Sequence, residues 1–532
     1  MSAAPTVERP VPVTARGVRV VEPWGLVPVA LLAAVSLWWV ESADQSLFAL
    51  AAEQLREGGV YYRDVWDIKQ PGLYWFYLLG DHLVAGGLGA RLLEAALAVV
   101  AAVLVQVLVA PWGLRRSVRL AAPTMVLGPY LLYASLSGVG EIEGLMNVLV
   151  LGLLACTWPV GRRAAPRPPW AWFVAGLLVA VVCLLKLLYA PVAVLLLGVA
   201  LYAGRPLGRR AVVLRAAYAA GAFALVAVAV AALLAAQGVL GMALRTTFEL
   251  PGQVAGVAAL HEPQSLPELP RALKNMFPVL GPLAVLGLLT ARRGGRLPLA
   301  LALAGAGALE LALGMTQIWT TYRWLMLSAP VGLLAVFGSE ALLGWFDARP
   351  GRRTLALRLG VGLVAAGLTL PILRPAFALA TAPDQRWGLD PASRIRRGED
   401  AGALTRPVAA SALVAGKVAP GERVYVFGDA RIQVLTRTRL GLPVAGLTMH
   451  FMPPPVWDEL ARELAASPPR FVYVGARDWS YERRGPGRAV FDYLDEHYRV
   501  VAENAEGTWY ETDSPGSSRP TASVRGLFGP TS

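Results

Sequence analysis

The chain has 532 residues, of which 56% are hydrophobic and only 16% are charged, and its mean hydropathy is +0.51. This composition excludes an ordinary soluble protein. The formal net charge of +13 would suit nucleic-acid binding, but most arginines lie in short loops between apolar segments, where they set membrane topology and contact anionic lipid headgroups. We therefore expect membrane lipids, and no nucleic acid, among the partners.

Residues 1–22 are Pro-rich and basic, and we predict a cytoplasmic tail here. The apolar stretch that follows is long and has no small-residue cleavage site, so a cleaved signal peptide is not expected.

Eleven apolar segments follow, each long enough to cross a hydrocarbon core of about 30 Å. They are predicted at residues 24–40, 88–111, 119–136, 142–159, 170–187, 188–203, 212–236, 277–291, 297–314, 322–343 and 356–374. Arginines concentrate in the loops after every second segment, and the positive-inside rule places those loops and the N-terminus in the cytoplasm. We therefore expect a multi-pass protein of the cell (inner or plasma) membrane, with its C-terminal region outside.

The first external loop, residues 41–87, is unusually rich in charged and aromatic side chains. They include Glu41, Asp44, Asp64, Asp67, Lys69 and the aromatic run Tyr74–Tyr77. Packing does not require four carboxylates and a lysine in such a loop, so we predict a site at the membrane surface. Residues 43–57 have helical apolar spacing, which predicts an amphipathic helix. Asp44 at its start is either a helix cap or a reactive group.

Two further charged groups lie at the outer ends of predicted spans. In the short second external loop, Glu141 and Glu143 precede a long apolar helix, where they either cap or snorkel, or face the first loop as part of a site. Lys186 is flanked by apolar residues in the fifth span. It is either a snorkelling lysine beside a helix break or an anchor for a lipid phosphate.

Later external segments add Arg245 and the pair Tyr322-Arg323. Arg323 is predicted to bind a phosphate or a sugar, or to pair with Glu310 or Glu143. The neighbouring His261-Glu262 pair is too sparse for a metal site, because no second ligand pair follows at zinc spacing.

The C-terminal third changes character. Residues 376–410 are polar and irregular and predict a linker. Residues 411–513 predict a small α/β domain, with strands at 423–428 and 470–475, helices at 457–466 and 488–498, and a strand-like stretch at 500–511. Residues 514–532 are rich in Ser, Gly and Pro, which is typical of a disordered tail.

The order of these motifs resembles the GT-C superfamily of membrane glycosyltransferases, near the protein O-mannosyltransferase and lipid A aminoarabinose transferase branch (glycosyltransferase family 39-like). The first loop reads Asp44-Gln45 and then Gly59-Val-Tyr-Tyr-Arg-Asp-Val-Trp-Asp-Ile-Lys-Gln-Pro-Gly72. The match continues through Arg91, the acidic second loop, Lys186 before a Pro-containing helix, and Tyr322. One departure is Gln45, where the family usually has a second acid, so Asp44 acts alone or with Glu41.

The resemblance implies transfer of a sugar from a polyprenyl-phosphate donor to an extracytoplasmic acceptor, which is a cell-envelope glycan, lipid or protein. Asp44 is then the general base, with Glu143 preferred over Glu141 as the second-loop catalytic acid. Lys186, with Arg245 or Arg323, would stabilise the leaving phosphate. The remaining candidates for substrate binding are Glu41, Asp64, Asp67, Lys69, Tyr74, Arg91, Glu141 and Tyr322. No metal ligands are assigned, and a divalent cation is left open as a cofactor.

Two other classes of protein are also compatible with this sequence. A transporter or flippase for a lipid-linked sugar would use intramembrane Lys186 and Glu143 along a pathway. Transporters often have internal repeats and broken helices, neither of which is clear in this sequence. A membrane scaffold without catalytic activity would bind glycan through the α/β domain.

Overall fold

The structure is a computed structural model, and it describes residues 21–137, 140–158, 167–261, 268–294, 296–315, 321–347, 388–400 and 406–513. Most of the predicted N-terminal tail, the last predicted span at 356–374 and the predicted tail 514–532 lie outside these residues.

Helices dominate the first 350 residues. They are α1 (Pro23–Ser36), α2 (Ala43–Arg56), α3 (Pro71–Leu83), α4 (Leu88–Val109), α5 (Arg116–Ser137), α6 (Ile142–Thr157), α7 (Pro169–Lys186), α8 (Ala190–Ala203), α9 (Arg209–Ala236), α10 (Leu240–Phe248), α11 (Leu250–His261), α12 (Glu268–Met276), α13 (Leu280–Thr290), α14 (Leu297–Met315) and α15 (Ser328–Asp347). A 3₁₀ helix, Thr321–Leu327, precedes α15. Each span predicted within the described residues coincides with one of these helices.

By length and hydropathy, five helical segments in the described ranges can cross a membrane, or six if a pair bent by 88° is one span. The helices α1 and α6 are apolar but shorter, with 14 and 16 residues. The chain is thus a polytopic helical membrane protein, while the count of eleven spans and the orientation stay predictions.

Small residues allow the membrane helices to approach closely. A Cβ on Gly287 of α13 would overlap the carbonyl oxygen of Leu334 in α15, and one on Gly338 of α15 would overlap that of Leu283. Such contacts are typical of helices that pack inside a membrane, where apolar burial alone gives little preference for a partner.

The C-terminal part is an α/β domain, as predicted. The helix α16 (Pro391–Asp400) precedes it. The strands of the domain are β1 (Arg423–Phe427), β2 (Arg439–Leu440), β3 (Phe471–Gly475), β4 (Tyr498–Asn504) and β5 (Gly507–Thr512), and its helices are α17 (Pro407–Ala412), α18 (Arg431–Thr436), α19 (Pro454–Ala466), α20 (Ser480–Arg484) and α21 (Arg488–His497). The sheet order is β2-β1-β3-β5-β4. The strand β1 pairs in parallel with β2 and β3, whereas β5 is antiparallel to β3 and β4.

Two details differ from the sequence expectation. The stretch at 500–511 was predicted as one strand, but it contains a hairpin turn before Gly507, whose φ of +151° suits glycine. The predicted linker contains a helix, α16 (Pro391–Asp400), whose start is fixed by the Asp390 carboxylate, since it accepts a hydrogen bond from the Ser393 amide at 3.0 Å. A polar composition concealed this helix because its buried residues include arginines.

The α/β domain contains a buried carboxyl group that makes its stability depend on pH. Glu463 in α19 is only 3% exposed, and burial raises its pKa from 4.5 to about 8 although the Val444 amide donates a hydrogen bond to it. The folded state therefore binds the proton more tightly than the unfolded state. The folding stability decreases as the pH rises from 4.5 to about 8.

We predict that Glu463→Gln raises the apparent Tm at pH 8 by roughly 3 °C and has a smaller effect at pH 5, because it removes the cost of ionising a buried carboxyl. Thermal unfolding of the full chain in detergent micelles measures this difference. Asp458→Asn, an exposed position on the same helix, is the matched control. The same shift at both pH values would contradict the prediction.

Candidate active site

The start of α2 is capped by Ser42 and not by Asp44. The Ser42 hydroxyl accepts a hydrogen bond from the Gln45 amide at 3.0 Å, and the Gln45 side chain accepts one from the Ser42 amide at 3.2 Å. This reciprocal pair is a capping box. The capping interpretation of Asp44 is therefore wrong, and its carboxylate is directed elsewhere.

Asp44 belongs to a charged cluster built around Lys69. The Lys69 ammonium lies 3.2 Å from Asp44 Oδ1 and 3.0 Å from Asp67 Oδ2. The Tyr74 hydroxyl donates to Asp67 Oδ2 at 2.7 Å, and the Tyr61 hydroxyl donates to the Lys69 carbonyl at 2.9 Å. Although burial favours the neutral amine, the carboxylates of Asp67 and Asp44 raise the pKa of Lys69 above its usual value. Lys69 thus remains an ammonium ion.

The second acidic loop faces the first, which is one of the two interpretations that the sequence left open. The Ser42 hydroxyl donates to Glu141 Oε1 at 3.2 Å. Burial, followed by the charges of Asp44 and Glu143, raises the pKa of Glu141 well above 4.5. Lys186 Nζ lies 2.6 Å from Glu143 Oε1, which also accepts a hydrogen bond from the Tyr189 hydroxyl at 3.3 Å.

The charged side chains of this cluster differ in their exposure to solvent. The side chains of Lys69, Asp44 and Lys186 are 19%, 21% and 23% exposed, whereas those of Asp67 and Glu143 are 0% and 2% exposed. Asp67 and Glu143 therefore orient the two ammonium groups from behind. A carboxylate and two cations remain open to a reactant.

Gln45 occupies the position of the second acid expected from the resemblance. It is buried, and its side-chain oxygen accepts a hydrogen bond from Arg91 Nη2 at 2.6 Å. Arg91 also donates to the carbonyl oxygens of Trp39 and Val40 at 3.0 and 2.9 Å. Gln45 and Arg91 thus fix the start of the first loop, and the predicted contact of Arg91 with substrate is not supported by its 1% exposure.

Other predicted site residues lie outside the cluster. The Asp64 carboxylate accepts a hydrogen bond from the Val60 amide at 2.7 Å and pairs with Arg63 at 2.9 Å, which makes it part of a turn. Arg323 donates to the Gly314 carbonyl at 2.7 Å. In the part of the chain that the structure describes, neither carboxylate oxygen of Glu310 accepts a hydrogen bond, so the suggested Arg323–Glu310 pair does not form.

Two predicted residues have less defined surroundings. Arg245 is half-buried in α10 beside Thr246, whose hydroxyl accepts a hydrogen bond from the Trp66 indole of the first loop at 3.2 Å. The side chain of Tyr322 lies outside the described residues. Within the described ranges, no three His, Cys, Asp or Glu side chains are grouped to hold a metal ion.

Sequence reasoning missed Ser42, Asn147 and Arg394. The spacing Ser42-x-x-Gln45 is a capping-box signal that was available. Asn147 holds α6 against the later 3₁₀ helix, because its side chain donates to the Leu325 carbonyl at 2.9 Å. Arg394 Nε lies 2.7 Å from Glu41 Oε2, a contact across 353 residues that no local pattern indicates.

Comparison with known proteins identifies a fold. No family model matches the chain, and no curated protein matches its sequence. The structure is similar to the crystal structure of ArnT from Cupriavidus metallidurans bound to undecaprenyl phosphate, with a TM-score of 0.54 and 16% sequence identity. The likeness covers 93% of this chain and 98% of that one. It therefore includes both the membrane part and the α/β domain, and it confirms the predicted GT-C fold.

We predict that Ser42→Ala destabilises the protein by about 1 kcal/mol, because the α2 cap is lost. Asp44→Asn is expected to leave the apparent Tm within about 1 °C of the wild type, because a partly exposed ion pair contributes little to stability. Thermal unfolding in detergent compares the two variants, and Ser42→Thr, which retains a capping hydroxyl, is the control. Equal losses of stability in Ser42→Ala and Asp44→Asn would indicate that Asp44 also caps α2.

Proposed function

We propose that this protein is a glycosyltransferase that moves a sugar from a polyprenyl-phosphate donor to an acceptor outside the cell membrane. The acceptor is a cell-envelope glycan, a lipid or a protein. The observation that carries this proposal is that two partly exposed ammonium groups, Lys69 paired with Asp44 and Lys186 paired with Glu143, belong to ion pairs whose carboxylates both act electrostatically on Glu141. A base for the acceptor and cations for a phosphate are the two requirements of this reaction.

The donor class is supported by the fold. ArnT, which has a similar structure, was crystallised with undecaprenyl phosphate. A lipid phosphate is anionic and lies at the membrane surface, where a lysine at a helix end can contact it. Lys186 is the last residue of α7, and we propose that it makes this contact.

In the proposed reaction, an acceptor hydroxyl donates its proton to the Asp44 carboxylate as its oxygen attacks the anomeric carbon. The bond between that carbon and the phosphate oxygen breaks, and the oxygen retains the electron pair as part of the lipid phosphate. Lys186 and Lys69 stabilise the negative charge that develops there. Because an inverting displacement needs only one base, Gln45 in place of a second acid is compatible with the reaction.

We predict that Asp44→Asn lowers the transfer rate at least about 100-fold, because the general base is lost. Purified protein is given polyprenyl-phosphate sugars and membrane extract from a knockout strain, and the labelled product is detected by mass. Asp64→Asn is the matched control: it also removes one carboxylate from the first loop, but from the turn with Val60 and Arg63.

The outcomes separate the alternatives. Full activity in Asp44→Asn would remove Asp44 from the mechanism. A wild-type protein that binds donor but forms no product with any acceptor would contradict the transferase and favour a scaffold. Movement of donor across liposomes without any acceptor would favour a transporter.

A second prediction concerns the phosphate contact. Lys186→Met is expected to weaken binding of undecaprenyl phosphate at least about tenfold, because a charge-assisted contact to the phosphate is lost. Lys274→Met, which removes an exposed lysine of α12, is the control. Binding by detergent-solubilised protein is measured with labelled lipid, and unchanged affinity in Lys186→Met would place the phosphate elsewhere.

A further inference from the structure

The α/β domain contacts the first loop at both ends of α2 and again at Trp66. The Trp66 amide donates to the Pro443 carbonyl at 2.8 Å, and the Ala445 amide donates to the Trp66 carbonyl at 3.1 Å, which gives a parallel β-bridge. At the C-terminal end of α2, Arg439 of β2 forms two hydrogen bonds with the Glu57 carboxylate, at 2.9 and 2.7 Å.

The helix α2 also lies beside the carboxyl end of β1. Leu47 lines a small cavity together with Gly428, Ala430 and Val444 of the α/β domain. The carboxyl ends of parallel strands are the usual place for a ligand in an α/β fold. Here Leu47 of the first loop borders this end of the sheet, so this region of the domain contacts α2.

A further attachment is the buried carboxylate of Glu41. Its Oε2 atom lies 2.7 Å from Arg394 Nε and 3.1 Å from Arg91 Nη2, and all three side chains are at most 2% exposed. Burial alone would raise the pKa of Glu41, but Arg394 and Arg91 lower it below 4.5. The carboxylate is therefore ionised and joins α4 of the membrane part to α16, which leads into the α/β domain.

Arg431 of α18 completes the arrangement. Its guanidinium pairs with Asp429 at 2.6 Å and donates to the Glu41 backbone carbonyl at 3.5 Å. Glu41 immediately precedes the capping residue Ser42 and stands three positions before Asp44. A displacement of Glu41 would therefore move the first turn of α2 and, with it, the Asp44 carboxylate.

We infer that the C-terminal α/β domain and α16 act as a positioning element for the Asp44 site, with Arg394 acting through Glu41. This inference rests on the proposed transferase function. Arg394 does not contact the accessible cluster, so its loss changes the placement of the base and leaves the ammonium groups of Lys69 and Lys186 in place. The expected result is slower turnover at nearly unchanged donor affinity.

The test is Arg394→Gln in the full chain, with Arg396→Gln, an exposed arginine on the same helix, as the matched control. Hydrogen exchange of the α2 amides and turnover per bound undecaprenyl-phosphate sugar are both measured. Normalising turnover to bound donor removes the contribution of unfolded protein. We expect faster exchange in α2, turnover lowered about tenfold or more and donor affinity within about twofold of the wild type, with none of these changes in Arg396→Gln.

A double variant and a milder variant complete the test. Glu41→Gln combined with Arg394→Gln removes both charges, and its loss of turnover is expected to be less than the sum of the single effects in free-energy terms, because the two residues are coupled. If Arg394→Gln does not accumulate, Arg394→Lys keeps a charge near Glu41 but not the planar guanidinium, and a smaller effect in the same direction is expected.

Each outcome decides the inference. Unchanged exchange in α2, or faster exchange with unchanged turnover per bound donor, would overturn it. Slower turnover without a change in exchange would also overturn it, because Arg394 would then act by another route. If the wild type transfers no sugar, the proposed function fails, and the exchange data alone decide whether Arg394 holds α2.

Discussion

The arrangement of this protein depends on a buried ion pair network around the Glu41 carboxylate. Taking a carboxylate out of water is costly unless cations and hydrogen bonds replace the solvent. Arg91 from the membrane part and Arg394 from the C-terminal part supply them together, at 3.1 and 2.7 Å. The loss of one arginine would leave the buried carboxylate with a single cation, whereas breaking a buried ion pair completely typically costs about 3 to 5 kcal/mol. This constraint fixes the start of the first loop, and therefore the capped first turn of α2.

The charges of the candidate site are arranged in two layers. Buried Asp67 and Glu143 contact the ammonium groups of Lys69 and Lys186, while Asp44 and the two lysines are partly open to solvent. An ammonium group held by a buried carboxylate is placed in advance, so little reorganisation is needed when a phosphate arrives. The same arrangement explains why Gln45 is tolerated. Its side-chain oxygen satisfies Arg91 without adding a further negative charge beside the site.

The sequence predicted the helices and the α/β domain, because hydropathy periods are local signals, and it left open whether the two acidic loops meet. It did not predict the role of Ser42, since Asp44 is an equally good capping residue in isolation. The contact between Glu41 and Arg394 spans 353 residues, and an ion pair between such distant residues produces no periodic pattern in the sequence. The composition of α16 suggested a linker because its buried side chains include two arginines, and the burial of Arg394 depends on a partner far away in the chain.

The central claim is that the cluster of Asp44, Lys69 and Lys186 is the place where a lipid-linked sugar reacts. The most direct measurement is an experimental structure of the full chain with a polyprenyl-phosphate sugar bound. The account predicts a phosphate oxygen within about 4 Å of Lys186 Nζ, with the anomeric carbon on the side of the phosphate that faces Asp44. A phosphate bound away from Lys186, or an anomeric carbon on the opposite side from Asp44, would contradict the account.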